Sequence, residues 1–357
     1  MRVVIIGAGV MGTATALELA RRGVRDIVVL ERAVPGAEAS SAAAGMLAAQ
    51  MESTNDDERA MFVPARDGYA AWAEELRASS GVDVGYRRCG ALELAMNDAS
   101  LEALTKRVAS DRAAGLRAEL VDVAGAREIE PELTAKIAGA AWFADEAQVD
   151  PPQLLRALLA SFVRAGVVLR SGVTVSSIVE EAGRCVGVEV TGVPAGREAI
   201  RADAVILAAG SWSSLVPGVP STLPLVRPVR GQLLLLEERP PRVSRILASH
   251  GTYVVPRGDG RVVCGSTMED VGHRREVTAA GVQKILAGSI DVAPCLGAAE
   301  LSRVWCNFRP HADGGPQIGA SPLAGLFLAT GHHRNGILLA KATADVVADV
   351  VVDRNAL

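Results

Sequence analysis

Three glycines near the start of the sequence have the spacing of a dinucleotide-binding turn. Gly7, Gly9 and Gly12 follow a β-branched run at residues 3–6. They precede residues 13–22, whose apolar side chains have helical spacing. In such a turn the first glycine permits the bend, the second lets the backbone approach a pyrophosphate, and the third allows close packing of helix on strand. The helix that begins there directs free N–H groups and its positive dipole end at the phosphates.

An acidic residue completes this pattern. The buried-strand pattern at residues 27–30 ends at Glu31, about 20 residues after Gly12, where a carboxylate can accept hydrogen bonds from a ribose diol. The sequence therefore predicts a dinucleotide site. Arg32 leaves NADP open as the nucleotide, because an arginine beside the ribose acid can hold a 2′-phosphate.

Two features favour FAD over a nicotinamide nucleotide. A small-residue loop at 35–54 and a β-rich segment at 216–309 interrupt the βα repeats that usually continue through a nicotinamide-binding domain. A second buried-strand pattern, residues 205–207, ends at a small-residue turn that includes Gly210. This turn would bring another stretch of backbone beside the cofactor.

Composition and charge exclude several classes of protein. Of 357 residues, 49% are hydrophobic, which excludes a mainly disordered chain. With 37 basic and 41 acidic residues there is no electrostatic case for a nucleic-acid partner. The five cysteines are widely spaced and predict free thiols in a reducing cytoplasm. The apolar N-terminal stretch is too rich in glycine for a signal peptide or an integral membrane segment.

The order of elements predicts an α/β chain with two interleaved domains, because α/β patterns return after each β-rich stretch. Helical spacing predicts helices over 66–79, 99–114 and 151–165. Asn335 and Gly336 form a turn that leads into a last helix over 337–351. The N-terminus of that helix would face the part of a flavin that gains negative charge on reduction.

Other polar residues with possible chemistry are less specific. Ser40 and Ser41 are equally compatible with a helix cap and with a phosphate contact. His332 and His333 are adjacent and cannot share one face of a helix or strand, so we expect no metal site there.

Four segments together resemble the glycine oxidases of the thiamine pathway, within the FAD-dependent D-amino-acid oxidase/sarcosine oxidase family. They are the glycine turn at 7–12, SSAAAGML at 40–47, YVVPR at 253–257 and GHHRNGILL at 331–339. The resemblance covers essentially the whole chain, in order. It implies a Rossmann-like FAD-binding domain from residues 1–82, 141–215 and 310–357. It also implies an antiparallel-sheet α+β substrate domain from residues 83–140 and 216–309.

The resemblance also implies site residues. The substrate carboxylate would be held by Arg309, with Tyr253 and Arg334 nearby, and a planar guanidinium binds a carboxylate bidentately as lysine cannot. Cys306 resembles the cysteine of the sarcosine oxidase branch that holds flavin covalently, but it is one position displaced, and we expect non-covalent FAD. When the residues singled out earlier are included, the full set of expected FAD contacts is Gly7, Gly9, Val10, Met11, Gly12, Glu31, Arg32, Ser40, Ser41, Ala44, Gly45, Met46, Val175, Gly210, His332, His333, Arg334, Asn335, Gly336, Ile337 and Leu338.

The implied reaction is oxidation of glycine or a similarly small amine, such as sarcosine or a short D-amino acid. Hydride would pass from the substrate Cα to flavin N5, the imine would hydrolyse to a keto acid plus ammonia or an amine, and O2 would reoxidise the flavin to give H2O2. The expected partners are a small amino acid and O2, and a homo-oligomer is compatible with the sequence. A D-amino-acid or D-proline-type dehydrogenase that reduces a quinone, an NADP-dependent dehydrogenase and a non-catalytic flavin-binding subunit remain alternatives.

Overall fold

The computed structural model describes residues 1–192, 194, 196–249 and 251–353. Its strands, in chain order, are β1 (Arg2–Ile6), β2 (Asp26–Glu31), β3 (Met46–Leu47), β4 (Ala91–Ala95), β5 (Glu119–Val121), β6 (Gly139–Phe143), β7 (Ala147–Gln148), β8 (Val168–Ser171), β9 (Thr174–Glu181), β10 (Arg184–Thr191), β11 (Arg197–Arg201), β12 (Ala204–Leu207), β13 (Val226–Glu237), β14 (Ile246–Ser249), β15 (Thr252–Pro256), β16 (Arg261–Gly265), β17 (Glu300–Ala312), β18 (Gln317–Ala320) and β19 (Leu326–Thr330). Its helices are α1 (Val10–Arg21), α2 (Ala39–Ala42), α3 (Ala49–Glu52), α4 (Asp56–Asp67), α5 (Tyr69–Ser80), α6 (Asp98–Ala113), α7 (Val123–Ile129), α8 (Pro151–Arg164), α9 (Ala279–Val292) and α10 (Ala340–Asp353), with 3-10 turns at Gly210–Leu215 and Pro294–Ala298.

A six-stranded sheet carries the glycine turn. Its strand order is β18-β19-β12-β1-β2-β8, and every pair is parallel except β18–β19. The central strands are aliphatic runs buried on both faces, as parallel strands covered by helices require. Because β1, β2 and β12 are parallel, the turns after them meet at one edge of the sheet. The predicted α/β class with a Rossmann-like sheet is confirmed.

The second large sheet has eight strands in the order β17-β13-β16-β15-β14-β4-β6-β5. Its pairs are antiparallel except β14–β4, which is parallel. The expected domain limits at 140/141 and 309/310 fall inside β6 and β17, because each strand pairs along its whole length within this sheet. The division into two domains therefore stays a prediction, and two of its four internal limits cut through strands.

Two of the predicted helices differ from the observed ones in their bounds. The pattern over 66–79 belongs to α4 and α5, which are separated at Gly68. The last helix begins at Ala340 rather than at Ile337. Residues 336–339 form a turn, and the hydroxyl of Tyr69 donates to the Ile337 carbonyl (2.5 Å), which fixes this turn against α5. Within the described residues, no helix has the length and apolar character needed to cross a membrane.

Candidate active site

A cavity of about 840 Å³ is lined by residues from both large sheets. Gly7 and Glu31, which follow β1 and end β2, contribute to its wall from the six-stranded sheet. Tyr253 and Arg309, on β15 and β17, contribute from the eight-stranded sheet. A cavity of this size is typical of a site for a cofactor or small molecule.

The glycine turn leaves the start of α1 open to an anion. Gly9 precedes the helix and supplies no side-chain cap, and no acidic residue lies in the first turn of α1. A Cβ at Gly7 would lie 2.5 Å from the Ala208 carbonyl oxygen, and a Cβ at Gly12 would lie 2.0 Å from the Gly7 carbonyl oxygen. Strand, turn and helix therefore pack at a distance that only glycine allows, which leaves the backbone accessible to a pyrophosphate.

Ser40 and Glu31 lie on either side of this turn. The Ser40 hydroxyl accepts a hydrogen bond from the Val10 N–H (3.0 Å), so it lies at the N-terminus of α1. The Glu31 carboxylate accepts from the N–H groups of Ala8 (3.0 Å) and Ala33 (2.9 Å). These bonds hold a carboxylate at the end of β2, where a ribose hydroxyl of a bound dinucleotide would donate to it.

Arg309 is the cationic group best placed for a substrate carboxylate. Its Nη1 donates to the Thr267 carbonyl (3.1 Å) and its Nη2 to the Ser266 hydroxyl (2.8 Å). Among the residues described, no carboxylate lies within ion-pair distance of its guanidinium. A Cβ at Gly231, on the paired strand β13, would lie 2.0 Å from Nη1, so this glycine makes room for the guanidinium. Arg309 is thus oriented by neutral oxygens and keeps its charge for a ligand.

Tyr253 lies in the same part of the cavity. It is opposite Gly265 in the β15–β16 pair, and a Cβ at Gly265 would lie 2.5 Å from the phenol oxygen. Burial raises the pKa of the Tyr253 hydroxyl, and the charge of Arg309 and a hydrogen bond with Ser266 oppose the rise. The phenol is therefore protonated at neutral pH and is available as a hydrogen-bond donor.

Arg334 has a protein partner that sequence reasoning missed. Its Nη2 lies 2.7 Å from the Glu52 carboxylate at the end of α3, and both residues line the cavity. Burial raises the pKa of Glu52, while the charges of Arg334 and Arg309 oppose the rise. The buried carboxylate of Glu146 accepts hydrogen bonds from the N–H groups of Ala49 (2.8 Å) and Gln50 (2.6 Å) and so fixes the start of α3.

The two adjacent histidines are held as neutral rings. Burial lowers the pKa of both His332 and His333 to about 3. His332 Nε2 lies 2.9 Å from the Thr343 hydroxyl on α10. The N–H of His333, which has a φ of +48°, donates to the Pro310 carbonyl (2.7 Å). No group of three His, Cys, Asp or Glu side chains that could hold a metal ion occurs in the described part of the chain.

The cavity brings together most of the residues singled out in the sequence. Three of the expected contacts do not line it: Gly12 packs against Gly7, the Ser41 hydroxyl donates to the Glu38 carbonyl (3.4 Å), and Leu338 is buried in the core of α1 and α10. The residues that do line it are Gly7, Gly9, Val10, Met11, Glu31, Arg32, Ser40, Ala44, Gly45, Met46, Val175, Gly210, Tyr253, Arg309, His332, His333, Arg334, Asn335, Gly336 and Ile337.

Cys306 is not among the lining residues of the cavity. It lies opposite Gln232 in the β13–β17 pair, and burial raises the pKa of its thiol. A thiolate is the form that would attack a flavin, so this environment disfavours a covalent link at Cys306.

Comparison with known proteins agrees with this geometry. The profile of the family described as FAD dependent oxidoreductase matches residues 2–350. The bifunctional protein ThiO/ThiG of Trichormus variabilis is 36% identical over 99% of this chain, which spans 53% of that relative. Glycine oxidase of Geobacillus kaustophilus is 34% identical over 98% of this chain and 92% of its own length.

A solved structure of glycine oxidase from Geobacillus kaustophilus has a TM-score of 0.92 to this chain. It is 33% identical, and the alignment covers 98% of this chain and 94% of the other. The chain spans about half the length of the bifunctional relatives that it matches. The family match supports FAD and gives no support to the NADP alternative. Arg32, the residue that suggested NADP, lies over the Trp212 ring, 4.0 Å from its centroid. Because the family profile matches nearly the whole sequence, the chain belongs to the family of FAD-dependent oxidoreductases.

Proposed function

We propose that this chain oxidises glycine or a similarly small amine, such as sarcosine or a short D-amino acid. The observation that carries the proposal is the Arg309 guanidinium, which lines the same cavity as the dinucleotide turn and has no described carboxylate as an ion partner. Similarity to glycine oxidase over nearly the whole chain supports the choice of substrate class.

The side chains of the cavity bind and orient such a substrate. The fork of Arg309 would donate to both carboxylate oxygens, and the protonated phenol of Tyr253 would donate one more hydrogen bond. These contacts fix the carboxylate end and leave the amine and Cα at the other end of a molecule only a few atoms long. FAD, when bound, supplies the acceptor of the hydride from Cα and, in an oxidase, the route by which O2 becomes H2O2.

The overall balance is amine substrate plus O2 and water to keto acid, ammonia or amine, and H2O2. The residues that we assign to FAD are those of the glycine turn, Glu31, Ser40, the 44–46 segment and the 332–337 segment, with non-covalent binding. O2 as acceptor, a homo-oligomeric state, a cytoplasmic location and a role in thiamine biosynthesis belong to the same proposal. The fused ThiO/ThiG relatives support the last of these.

The proposal is tested by assaying the FAD-loaded protein with matched amines. Glycine, sarcosine and D-alanine should each give one molecule of H2O2 for each molecule of keto acid formed. Methylamine and glycine ethyl ester, which lack a free carboxylate, should give little. Turnover of the ester as fast as of glycine would contradict the role of Arg309. Reduction of the bound FAD without peroxide would favour a dehydrogenase.

A further inference from the structure

The segment 266–278, between β16 and α9, is tied to the eight-stranded sheet near both of its ends. Near its start, Glu269 pairs with Arg230 and accepts from the side-chain amide of Gln232 (2.6 Å). At its end, the Thr278 N–H donates to the side-chain oxygen of Gln232 (2.8 Å). The residues between these two anchors form a tip, and the carbonyl of Arg274 within it accepts a further hydrogen bond from Arg230 Nη1 on β13 (3.0 Å).

An aromatic contact joins this tip to the six-stranded sheet. The ring of His273 stacks on Trp212, with centroids 4.9 Å apart and an interplanar angle of 23°. His273 Nε2 lies 3.3 Å from the hydroxyl of Ser211. Ser211 and Trp212 lie in the 3-10 turn that follows β12, so the contact joins elements of the two large sheets. Phe308 packs edge-on against the His273 ring at 5.2 Å.

An ion pair makes a second contact of the same kind. Arg275 forms a hydrogen-bonded ion pair with Glu38, in the loop that follows β2. The Arg275 guanidinium also lies 5.5 Å from the ring centroid of Phe308. The Glu38 carboxylate also lies 3.4 Å from Nη2 of Arg32. The guanidinium of Arg32 lies over the ring of Trp212, 4.0 Å from its centroid, so the ion pair and the aromatic contact are adjacent.

These contacts lie at the dinucleotide end of the cavity. Arg32, Glu38, Ser211, Trp212 and Phe308 all line it. Arg32 follows the ribose acid directly, and Glu38 precedes Ser40 by two positions. The tip therefore contacts residues that wall the cavity beside the ribose acid and the segment leading to Ser40, although His273 and Arg275 do not line the cavity themselves.

We propose that His273 and Arg275 form a clasp that closes the dinucleotide end of the cavity and slows the release of FAD. The clasp can open without unfolding the sheet, because it consists only of the stacked His273 ring and the ion pair between Arg275 and Glu38. The side chains of Arg275 and Glu38 are 48% and 33% exposed. The anchors at Glu269 and Thr278 are separate from it and keep the segment in place. Burial lowers the pKa of His273, and the nearby charges of Arg32 and Arg275 act in the same direction, so a neutral ring stacks on Trp212.

The clasp does not depend on which amine is oxidised. The same segment also orients Arg309, through the Ser266 hydroxyl and the Thr267 carbonyl. The Glu269–Arg230 anchor lies between Thr267 and the tip, and so separates the clasp from Arg309. Loss of the clasp should therefore change cofactor release and leave kcat and KM for the amine close to wild type when FAD is saturating. A general distortion of the cavity would change both.

The test measures the rate at which FAD fluorescence recovers after the holoenzyme is diluted. His273→Ala should release FAD about tenfold faster, since an aromatic pair and its buried contact are lost. Arg275→Ala should release it about three- to tenfold faster. His273→Phe retains the stacked ring and should stay within about twofold of wild type. Arg274→Ala is the matched control, because it removes a charge from the same tip, where within the described residues the Arg274 side chain donates only to the Val271 carbonyl (3.4 Å).

Two outcomes would overturn the clasp. The first is wild-type release from both alanine variants. The second is equal acceleration by Arg274→Ala, which would indicate a nonspecific charge effect. If His273→Ala does not yield folded protein, the exposed Arg275→Ala variant decides the question alone, measured against Arg274→Ala.

Discussion

The carboxylate of Glu52 lies 2.7 Å from the guanidinium of Arg334 inside the cavity that holds Arg309. The family resemblance implies that Arg334 lies near the substrate, whereas in the structure its ion partner is a carboxylate of the protein. One of the two arginines is therefore neutralised by its partner, and Arg309 retains its charge for a ligand. This difference decides which arginine a small carboxylate should bind.

Removing the charge of Glu52 should strengthen the binding of simple carboxylates. Glu52→Gln leaves Arg334 without its anionic partner, so we expect acetate to inhibit roughly three- to tenfold more tightly. The inhibition constant of acetate for the FAD-loaded protein measures the effect. Glu119→Gln, an equal charge change at an exposed position on β5, should leave it unchanged. Equal inhibition constants for Glu52→Gln and wild type would show that this ion pair does not compete with substrate.

Removing the guanidinium of Arg309 should weaken substrate binding. Arg309→Ala should cost about 2–5 kcal/mol of affinity for the amino acid, because the carboxylate loses a bidentate partner in a partly buried site. Arg309→Lys retains the charge without the planar fork and should recover only part of the loss. Substrate titration of the FAD-loaded variants measures the effect. An unchanged apparent affinity in Arg309→Ala, with FAD retained, would refute the assigned role.

A methyl group at Gly12 should destabilise the protein. The Cβ of Gly12→Ala would lie 2.0 Å from the Gly7 carbonyl oxygen, so helix and turn must separate at a cost of about 1–3 kcal/mol or more. Gly68→Ala is the matched control, because its Cβ would meet no neighbour closer than 3.4 Å. Thermal unfolding of both variants measures the difference. Equal midpoints would contradict the close packing of α1 on β1.

Neutral burial of His332 should contribute stability that is lost as the pH falls below about 6.5. Burial lowers the pKa of His332 to about 3, whereas an unfolded histidine titrates near ~6.5. The unfolded chain therefore binds more protons between these values. The free energy of unfolding should decrease as the pH falls through this window, by at most about 1.4 kcal/mol per pH unit for one histidine.

Thermal unfolding of the FAD-saturated protein between about pH 7.5 and about pH 5 checks this sign. His332→Gln removes one titrating ring and should flatten the slope. His333 has a pKa lowered in the same direction and should supply part of the slope that remains. Burial raises the pKa of Glu146 to about 7, so this carboxyl contributes with the opposite sign and the test is the difference between variant and wild type. An unchanged slope in His332→Gln would contradict neutral burial of this ring.

The local part of the site could be predicted from the sequence. Gly7, Gly9 and Glu31 are fixed by spacing within one βαβ unit, so neighbouring residues alone indicate their place. The strand that ends before Gly210 could be predicted for the same reason, since an aliphatic run between turns is a local signal.

The rest depends on contacts between distant parts of the chain. Glu52 and Arg334 form an ion pair although they are far apart in sequence. Trp212 stacks on His273, which lies in the segment that follows β16 of the eight-stranded sheet. A glutamate after a small-residue loop and a tryptophan after a strand carry no pattern that predicts such partners. The sequence predicts the start of α10 at Ile337, three residues before its observed start at Ala340. The Tyr69–Ile337 hydrogen bond fixes the intervening turn, and it joins residues too far apart in sequence for a local pattern to indicate.

The most direct test of the account is anaerobic mixing of the FAD-loaded protein with glycine. In the wild-type protein the flavin absorbance should bleach at a rate that saturates with glycine. In Arg309→Ala, bleaching should require a much higher glycine concentration. Flavin that stays oxidised with glycine, sarcosine and D-alanine alike would contradict the proposed activity, while the fold and the family would stand.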